Sequence, residues 1–240
     1  MTHIIGSIIE SKSAATSAPL CIAYIKKGQN KLDDEPTIYV DYTDVSHIRD
    51  SLEKYNVEVV ISCLNVISAG ASQAEVNLAR ACDSSAGTHR FNASQWSIKT
   101  PPGSPLPDFS AATLAVLSQT KLEYTIVFNG HFSDYYGYPK VKTYLKHADF
   151  LVDIANKAAA VPGSGEDRVA FTYSFDVARF VDDLVNTEEK CPKHSVIIGE
   201  KITVNGMVAI AEGARGKSKV INCHILSNVE LLRGTILHSP

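Results

Sequence analysis

The stretch TIYVDYTDVSHIRDSLEKYNVEVVISCL, residues 37–64, predicts a strand, a helix and a second strand. TIYVDY (37–42) and VEVVISCL (57–64) are short, nearly continuously apolar runs rich in Val, Ile and Tyr, which is typical of strands buried on both faces. Between them, VSHIRDSLEKYN (45–56) places apolar residues at intervals of three and four, the period of an amphipathic helix. Asp44 directly precedes that helix, so we expect it to be the N-cap.

The alternation of strand and helix continues on both sides of this stretch. LCIAYI (20–25) and YTIVFN (124–129) have the composition of buried strands, and SQAEVNLARACDSS (72–85) has the helical period. DVARFVDDLVN (176–186) predicts another helix, with Asp176 as its N-cap. Such alternation predicts an α/β fold with a doubly wound parallel sheet, whose ligands bind beyond the carboxyl ends of the strands.

Composition and charge exclude several classes of partner. The chain has 240 residues and a formal net charge of −3, and its Lys and Arg residues are scattered rather than clustered. We therefore expect neither a nucleic-acid surface nor an anionic membrane as partner, and a small molecule instead. We expect no signal peptide, because residues 1–20 contain no basic leader followed by a continuous apolar run, and no transmembrane segment, because no apolar run reaches membrane-spanning length.

The cysteines and histidines predict neither disulfides nor a metal site. The 5 cysteines are odd in number and widely spaced, with no C-x-x-C pair, and the histidines lack metal-ligand spacing. We interpret the cysteines as reduced intracellular thiols and expect a cytoplasmic protein without a metal.

Three segments of the second half carry a family resemblance. YTIVFNGHFSDYYGYP (124–139), VDIANKAAAVPGSG (152–165) and VAFTYSFDVARFV (169–181) together resemble the NmrA-like branch of the short-chain dehydrogenase superfamily, which includes isoflavone-reductase-like enzymes. The resemblance implies a Rossmann-like nucleotide-binding core at 1–130. It also implies a small, shortened C-terminal substrate-binding part at 131–240, interleaved with the end of the core sheet. The implied activity is NADP(H)-dependent oxidoreduction of a small organic substrate, in secondary-metabolite biosynthesis.

The resemblance also implies where the cofactor binds. A basic pair after the second strand would meet the 2′-phosphate, the end of the third strand would lie near the adenine, and the end of the fourth would pass under the ribose. A serine after the fifth strand would complete the site, and Gln73 would help to orient cofactor or substrate. The cofactor residues are Lys26, Lys27, Asp41, Tyr42, Ser62, Cys63, Leu64 and Ser94. The alternatives are that the lysines are simply solvated, that Asp41 caps a turn and that Cys63 is a small buried apolar residue.

The segment THRFNASQWSI (88–98) resembles the family's fifth-strand signature, in which a basic residue and Phe precede a Pro-Ser-Glu-Trp-Gly turn beside the nicotinamide. Here Ala93, Gln95 and Ser97 replace the proline, glutamate and glycine, which removes a carboxylate from the implied pocket. Gln95 and Trp96 are implied substrate contacts. Related reductases place a proton-donating lysine shortly after this turn, and Lys99 and Lys121 flank that region here.

The aromatic segment 128–138 predicts a pocket for a flat organic substrate. His131 replaces the family's usual aromatic residue and introduces a group that titrates near neutrality. We take His131 and Tyr135 as candidate catalytic residues, although a lone histidine is more often structural. The candidate substrate-binding residues of this segment are Asn129, Phe132 and Tyr136.

The N-terminal segment lacks the glycine-rich turn that binds a dinucleotide pyrophosphate. Gly6 is the only glycine before Lys27, and IIESKSAATSAPL (8–20) stands where further glycines are needed for close backbone approach. Three alternatives to the reductase therefore stay open. They are a cofactor-independent isomerase or cyclase, a non-catalytic binding or regulatory protein, and a shortened gene product with a weakened nucleotide site.

Overall fold

The structure is a computed structural model that describes residues 2–6, 22–26, 40–100, 108–215 and 223–224. Its helices are α1 (Val45–Lys54), α2 (Ala69–Ser84), α3 (Ala111–Leu117), α4 (Asp134–Gly137), α5 (Ser174–Asn186) and α6 (Val204–Arg215). Its strands are β1 (Thr2–Gly6), β2 (Ile22–Lys26), β3 (Val59–Ile61), β4 (Arg90–Ala93), β5 (Glu123–Phe128), β6 (His131–Phe132), β7 (Val152–Asp153), β8 (Ala158–Ala160), β9 (Arg168–Thr172), β10 (His194–Val196), β11 (Glu200–Thr203) and β12 (Cys223–His224).

A six-stranded sheet organises the first of two compact units, which includes the described residues up to 99 together with 108–128 and 180–196. Its strand order is β10-β5-β4-β3-β1-β2. The four pairings between β10 and β1 are all parallel, so the predicted α/β fold with a parallel sheet is confirmed. Parallel strands end at one common edge, which is where a ligand of this fold class binds.

Strand β2 departs from the prediction because it runs antiparallel to β1. Thr2 pairs with Lys26 and Gly6 pairs with Ile22, so the carboxyl end of β2 lies at the amino end of β1. The apolar composition of 20–25 identifies a strand but carries no information on its direction, and antiparallel edge strands occur on otherwise parallel sheets.

The predicted strand at 37–42 is wrong for its last residues, and residues 37–39 lie outside the described part. Val40 and Asp41 are in no strand, and Tyr42 and Thr43 form a turn. The Asp41 side chain explains the difference, since its Oδ1 accepts hydrogen bonds from Thr43 N (2.8 Å) and Thr43 Oγ1 (2.7 Å).

Side-chain caps decide where the helices begin. Asp44 caps α1 as predicted, because its Oδ1 accepts from His47 N at 2.9 Å. Helix α2 begins three residues before the predicted start, since the Oγ of Ser68 accepts from the backbone N of Ala71. The prediction that Asp176 caps α5 is wrong, because Asp176 lies within the first turn of a helix that starts at Ser174.

Buried apolar side chains from α1, α2 and the sheet form the core of the first unit. On β4, Phe91 and Ala93 belong to this core, and the intervening Asn92 therefore points to the other face of the sheet. The fully covered side chains include Ile48, Leu52, Leu78, Phe91, Leu117 and Ile126.

The second unit contains two three-stranded sheets, of order β11-β9-β6 and β12-β8-β7. Its core includes Val152, Phe171, Val204 and Met207. Gly130, at φ +69°, is required by close approach as well as by backbone conformation, since a Cβ there would lie 2.3 Å from the carbonyl oxygen of Ala170. No helix in the described ranges is both long and apolar enough to cross a bilayer.

Arg90 joins β4 to the chain that follows α5. Its guanidinium donates to three main-chain carbonyls, those of Val185 (3.0 Å), Thr187 (2.7 Å) and Glu189 (3.0 Å). Its Nε lies 3.4 Å from the Glu123 carboxylate on β5. The Arg90 residue is only 9% exposed, so these carbonyls and this carboxylate replace most of its hydration.

We predict that Arg90→Leu lowers the free energy of unfolding by about 3 kcal/mol, because it leaves Glu123 without its ion-pair partner and three main-chain carbonyls without their donor. Urea denaturation followed by circular dichroism measures the change. Arg49→Leu is the matched control, since Arg49 pairs only with the exposed Asp50, and we expect little change from it. An Arg90→Leu variant as stable as the wild type would show that the cluster is not a stabilising contact.

Candidate functional site

The loops that leave β3 and β4 lie at the same edge of the sheet. The two strands are parallel neighbours, and Ser62 N donates to Asn92 O at 2.8 Å directly beyond the last residue of β3. The predicted residues Ser62, Cys63 and Leu64 therefore lie beside Ser94, and Gln95 and Trp96 follow on the same loop. We call the segments 62–68 and 94–99 the carboxyl edge.

Hydrogen bonds fasten the two segments of the carboxyl edge together. Ser94 Oγ donates to Leu64 O at 2.6 Å, and Trp96 Nε1 donates to Ser62 O at 2.9 Å. The backbone N of Ser94 donates to Oε1 of Glu75 at 2.7 Å. Both donors of Ser94 are thus engaged within the protein, and neither is available to a phosphate.

Glu75 is a site residue that our sequence analysis missed. It lies on α2, its exposed fraction is 0%, and its Oε2 accepts from Thr113 Oγ1 of α3 at 3.0 Å. Burial raises the pKa of Glu75, and the hydrogen bonds from neighbouring groups offset this effect only in part. A signal was present, since Glu75 falls three residues after Ser72 and one before Val76 on the buried face of the helix.

Apolar side chains are exposed at the carboxyl edge. Ile67, in the segment after β3, is 71% exposed, and Ile98, in the segment after β4, is 49% exposed. Large exposed aliphatic side chains are natural contacts for a flat, carbon-rich ligand.

Of the two lysines that flank the region after the signature, only Lys99 belongs to the carboxyl edge. Lys99 is exposed and follows β4, whereas Lys121 precedes β5 and its backbone N donates to Asp83 Oδ1. Lys99 is also the one Lys or Arg within residues 62–68 and 94–99.

Four predicted cofactor residues fall outside the segments of the carboxyl edge, namely Lys26, Lys27, Asp41 and Tyr42. The antiparallel direction of β2 places Lys26 at the edge of the sheet opposite the carboxyl edge, and Lys27 lies outside the described residues. Asp41 binds Thr43, and these hydrogen bonds lower the pKa of its carboxyl. Tyr42 is buried.

Two further predicted residues, Gln73 and Cys63, interact with neighbouring residues of the protein. Gln73 is exposed, and its Nε2 donates to Oδ1 of Asn77 one helical turn later. Burial, and in second place the nearby Glu75 carboxyl, raise the pKa of the Cys63 thiol to about 12, although the residue surface is only partly covered. Cys63 therefore stays protonated at neutral pH and has little nucleophilic character.

In the second unit, His131 lies among aromatic rings. Its ring stacks on Phe150 with 4.3 Å between centroids and lies 5.9 Å from the ring of Phe171. Tyr136 meets the Phe171 ring edge-on, and its hydroxyl donates to Phe150 O at 2.7 Å. Burial lowers the pKa of His131, so its imidazole is neutral at physiological pH. Among the described residues, none forms a hydrogen bond with its ring nitrogens.

The other candidates around His131 differ in accessibility. Tyr135 is half-buried, with burial and then Asp134 raising its pKa, and it contacts Phe132 edge-on at 6.2 Å. Burial raises the pKa of Tyr136 to about 12. Asn129 is fully buried, and its main-chain oxygen accepts from Thr172 Oγ1 at 2.8 Å. Asn129 thus supports the neighbouring backbone, whereas His131, Phe132 and Tyr135 keep exposed surface.

Within the described ranges, no group of three or more His, Cys, Asp or Glu side chains is arranged to hold a metal ion.

Comparison with characterised proteins relates the chain to fungal oxidoreductases. It is 30% identical over 184 residues to oxidoreductase BOA1 of Botryotinia fuckeliana. The aligned region covers 75% of this chain and 61% of that protein. It is 29% identical over 199 residues to oxidoreductase swnN of Arthroderma benhamiae, covering 79% of this chain and 63% of the relative. No protein-family model matches the chain.

Solved structures show the same fold at low sequence identity. Leucoanthocyanidin reductase of Vitis vinifera, in a ternary complex, aligns with a TM-score of 0.61 and 12% identity, over 80% of this chain and 64% of that one. AtPrR2 with NADP+ and (+)pinoresinol aligns with a TM-score of 0.60 and 16% identity, over 81% and 63%. An isoflavone reductase aligns with a TM-score of 0.58 and 16% identity, over 81% and 62%.

The fold is that of the NmrA-like, isoflavone-reductase-like proteins. The resemblance and the Rossmann-like fold class predicted from the sequence are therefore confirmed. The chain spans less than two thirds of the length of the relatives and structures it matches.

We predict that His131 makes the stability of the protein depend on pH. Because its folded-state pKa is lowered, its contribution is present above the unfolded-state value of about 6.5 and is lost as pH falls through the folded-state pKa. His131→Phe, which keeps an aromatic ring against Phe150, should flatten this dependence. Urea denaturation at pH 5, 6, 7 and 8 measures it.

The control for this measurement is His47→Gln, which changes an exposed histidine of α1. Its pH dependence should follow that of the wild type. An unchanged dependence in His131→Phe would show that the His131 imidazole is as well solvated in the folded as in the unfolded chain.

Proposed function

We propose that this chain is an NmrA-like oxidoreductase that binds NADP(H) at the carboxyl edge and acts on a small organic molecule. The observation that carries the proposal is the arrangement of β3 and β4 in the parallel sheet. They are adjacent, and the polar segments that follow them at the same edge expose Ile67 and Ile98. Solved structures of the same fold support the choice of cofactor, since they include leucoanthocyanidin reductase with NADPH and AtPrR2 with NADP+.

The described residues fit the rings of such a cofactor better than its phosphates. Ile67, Ile98 and the half-buried Trp96 offer apolar surface to a flat ring. Ser94 has no free donor, however, and Lys99 is the only cation at the carboxyl edge. The segment that stands in place of the family's glycine-rich turn falls within residues 7–21, outside the described part, and we expect the donors for the pyrophosphate there. A bound nicotinamide supplies or accepts hydride, and the protein's share is to bind and orient the rings and to exclude water.

The aromatic residues of the second unit support a flat, carbon-rich substrate. Phe132, Tyr135 and His131 each keep exposed surface beside buried rings, which is the usual make-up of an organic-ligand site. We propose a secondary metabolite as substrate on this ground, with Tyr135 and His131 as the hydrogen-bonding groups.

A cofactor-independent activity is the second candidate, and His131 is the observation that favours it. A neutral imidazole with no hydrogen bond to a described residue can accept a proton from a bound molecule and return it elsewhere, which is what an isomerase or cyclase requires. A binding or regulatory protein would use the same aromatic residues to bind its ligand, without chemistry.

Calorimetric titration with NADPH, NADP+ and NADH tests the first proposal. We expect micromolar binding of NADPH that Lys99→Ala weakens about tenfold and that the matched variant Lys121→Ala leaves unchanged. Loss of binding in Lys26→Ala or Lys27→Ala, with Lys99→Ala unaffected, would instead assign the 2′-phosphate to the pair implied by the family resemblance.

No binding of any dinucleotide by a folded sample would overturn the oxidoreductase proposal for this chain. The second candidate then makes its own prediction. Flat aromatic ligands should still bind in the absence of nicotinamide cofactor, and His131→Phe should abolish their turnover while changing their affinity less than about threefold. Equal turnover by His131→Phe and wild type would rule out His131 as the proton-transferring group.

A further inference from the structure

We infer that Glu75 is the positioning residue of the carboxyl edge: its carboxylate holds the turn Ala93–Ser97 in the shape that presents Gln95 and Trp96 to a ligand. The inference rests on the proposed function only for the identity of that ligand.

The geometry is a buried carboxylate shared between two elements. Glu75 Oε1 accepts from the backbone N of Ser94 at 2.7 Å, and Oε2 accepts from Thr113 Oγ1 at 3.0 Å. Its exposed fraction is 0%. A carboxylate in such surroundings is unfavourable unless donors converge on it, so its presence is explained by these contacts, together with the nearby Ser62 hydroxyl, rather than by packing.

The turn depends on contacts with its surroundings because no proline restricts its backbone. Residues 93–97, Ala-Ser-Gln-Trp-Ser, contain neither proline nor glycine. Two short-range bonds bend the chain, from Gln95 N to Ala93 O (3.0 Å) and from Ser97 N to Gln95 O (2.7 Å). The bonds that fix this bend to its surroundings are those of Ser94 and Trp96, and the bond of the Ser94 backbone to Glu75 is among them.

Glu75 is not needed merely to hold α3 against α2. Ser72, one helical turn earlier on α2, already donates its hydroxyl to Phe109 O at 2.6 Å, directly before α3. Apolar residues of both helices also belong to the same core cluster. What Glu75 adds is the link from α2 to the Ser94 backbone, which no other described side chain makes.

Trp96 reports on the turn directly. It is the only tryptophan of the chain, it is half-buried, and its Nε1 donates to Ser62 O at 2.9 Å. Its fluorescence therefore measures the position of the turn in the absence of any ligand. This separates the inference from the question of whether NADPH binds.

The experiment compares Glu75→Ala, Glu75→Gln and wild type. In Glu75→Ala the Ser94 backbone N loses its acceptor, so we expect a red-shifted Trp96 emission, at least twofold stronger acrylamide quenching and at least tenfold weaker NADPH binding. Glu75→Gln should restore all three, because its Oε1 can accept from Ser94 while its Nε2 donates to Thr113 Oγ1. Far-ultraviolet circular dichroism should be the same in all.

Two matched variants separate positioning from loss of stability. Ser72→Ala removes the other hydrogen bond of α2 to the chain before α3, and Val76→Ala removes buried volume beside Glu75. Both should lower the unfolding midpoint and leave the native Trp96 emission unchanged. A red shift in these variants equal to that of Glu75→Ala would overturn the inference.

Native Trp96 emission and quenching in Glu75→Ala equal to those of the wild type would also overturn it. If Glu75→Ala does not fold, Glu75→Asp replaces it, because a side chain shorter by one methylene cannot reach both Ser94 and Thr113. Wild-type emission in Glu75→Asp would then contradict the inference. If the wild type binds no NADPH, the proposed cofactor fails, while the Trp96 comparison still decides the role of Glu75.

Discussion

The constraint on which the first unit depends is the burial of the Arg90 charge at the amino end of β4, an inner strand of the parallel sheet. An arginine that is 9% exposed is stable only if fixed acceptors replace water around its guanidinium, and here these are three main-chain carbonyls and the Glu123 carboxylate. Glu123 in turn accepts a hydrogen bond from the backbone N of Cys191. One polar cluster therefore joins β4 and β5 to the chain that leads into β10. In the family resemblance this basic residue is part of a signature beside the nicotinamide, whereas its described contacts are structural.

Local sequence patterns predicted the helices and strands whose formation depends on residues close together in the sequence. The period of 45–56 predicts α1, and the Asp44 side chain caps it. The apolar run at 57–64 contains β3, and the run at 124–129 overlaps β5. The direction of β2 was not predictable in this way, because an apolar strand pairs equally well with a neighbour of either direction. The strand with which β2 pairs, and the direction of that pairing, depend on the arrangement of the whole sheet. A local sequence pattern does not contain this information.

For the candidate site, the proximity of certain residues was predictable from the sequence, whereas the contacts that each residue makes were not. Ser62, Leu64 and Ser94 do lie together, because parallel strands end at one edge. Which donors remain free depends on partners distant in sequence, such as Glu75, which lies 19 residues before Ser94. In the sequence, the Ser94 hydroxyl is a possible ligand for a phosphate. In the structure, it instead donates a hydrogen bond to the main chain of Leu64 and joins the two segments of the carboxyl edge. A glutamate on the apolar face of a helix was the more informative signal, since such a residue is buried only when converging donors stabilise it.

The distribution of charge bears on the choice between the reductase and the cofactor-free candidates. A dinucleotide with a 2′-phosphate brings several negative charges, and within the carboxyl edge Lys99 alone opposes them, while the Glu75 carboxyl is buried beneath. Binding at this edge would then draw its affinity from contacts of the rings with Ile67, Ile98 and Trp96, and a single lysine would give a modest preference for NADPH over NADH. A strong preference would require further cationic donors, such as Lys26 and Lys27, which the family resemblance implies. The ratio of the two affinities, more than the presence of binding, therefore distinguishes a dedicated 2′-phosphate site from an edge that recognises mainly the rings.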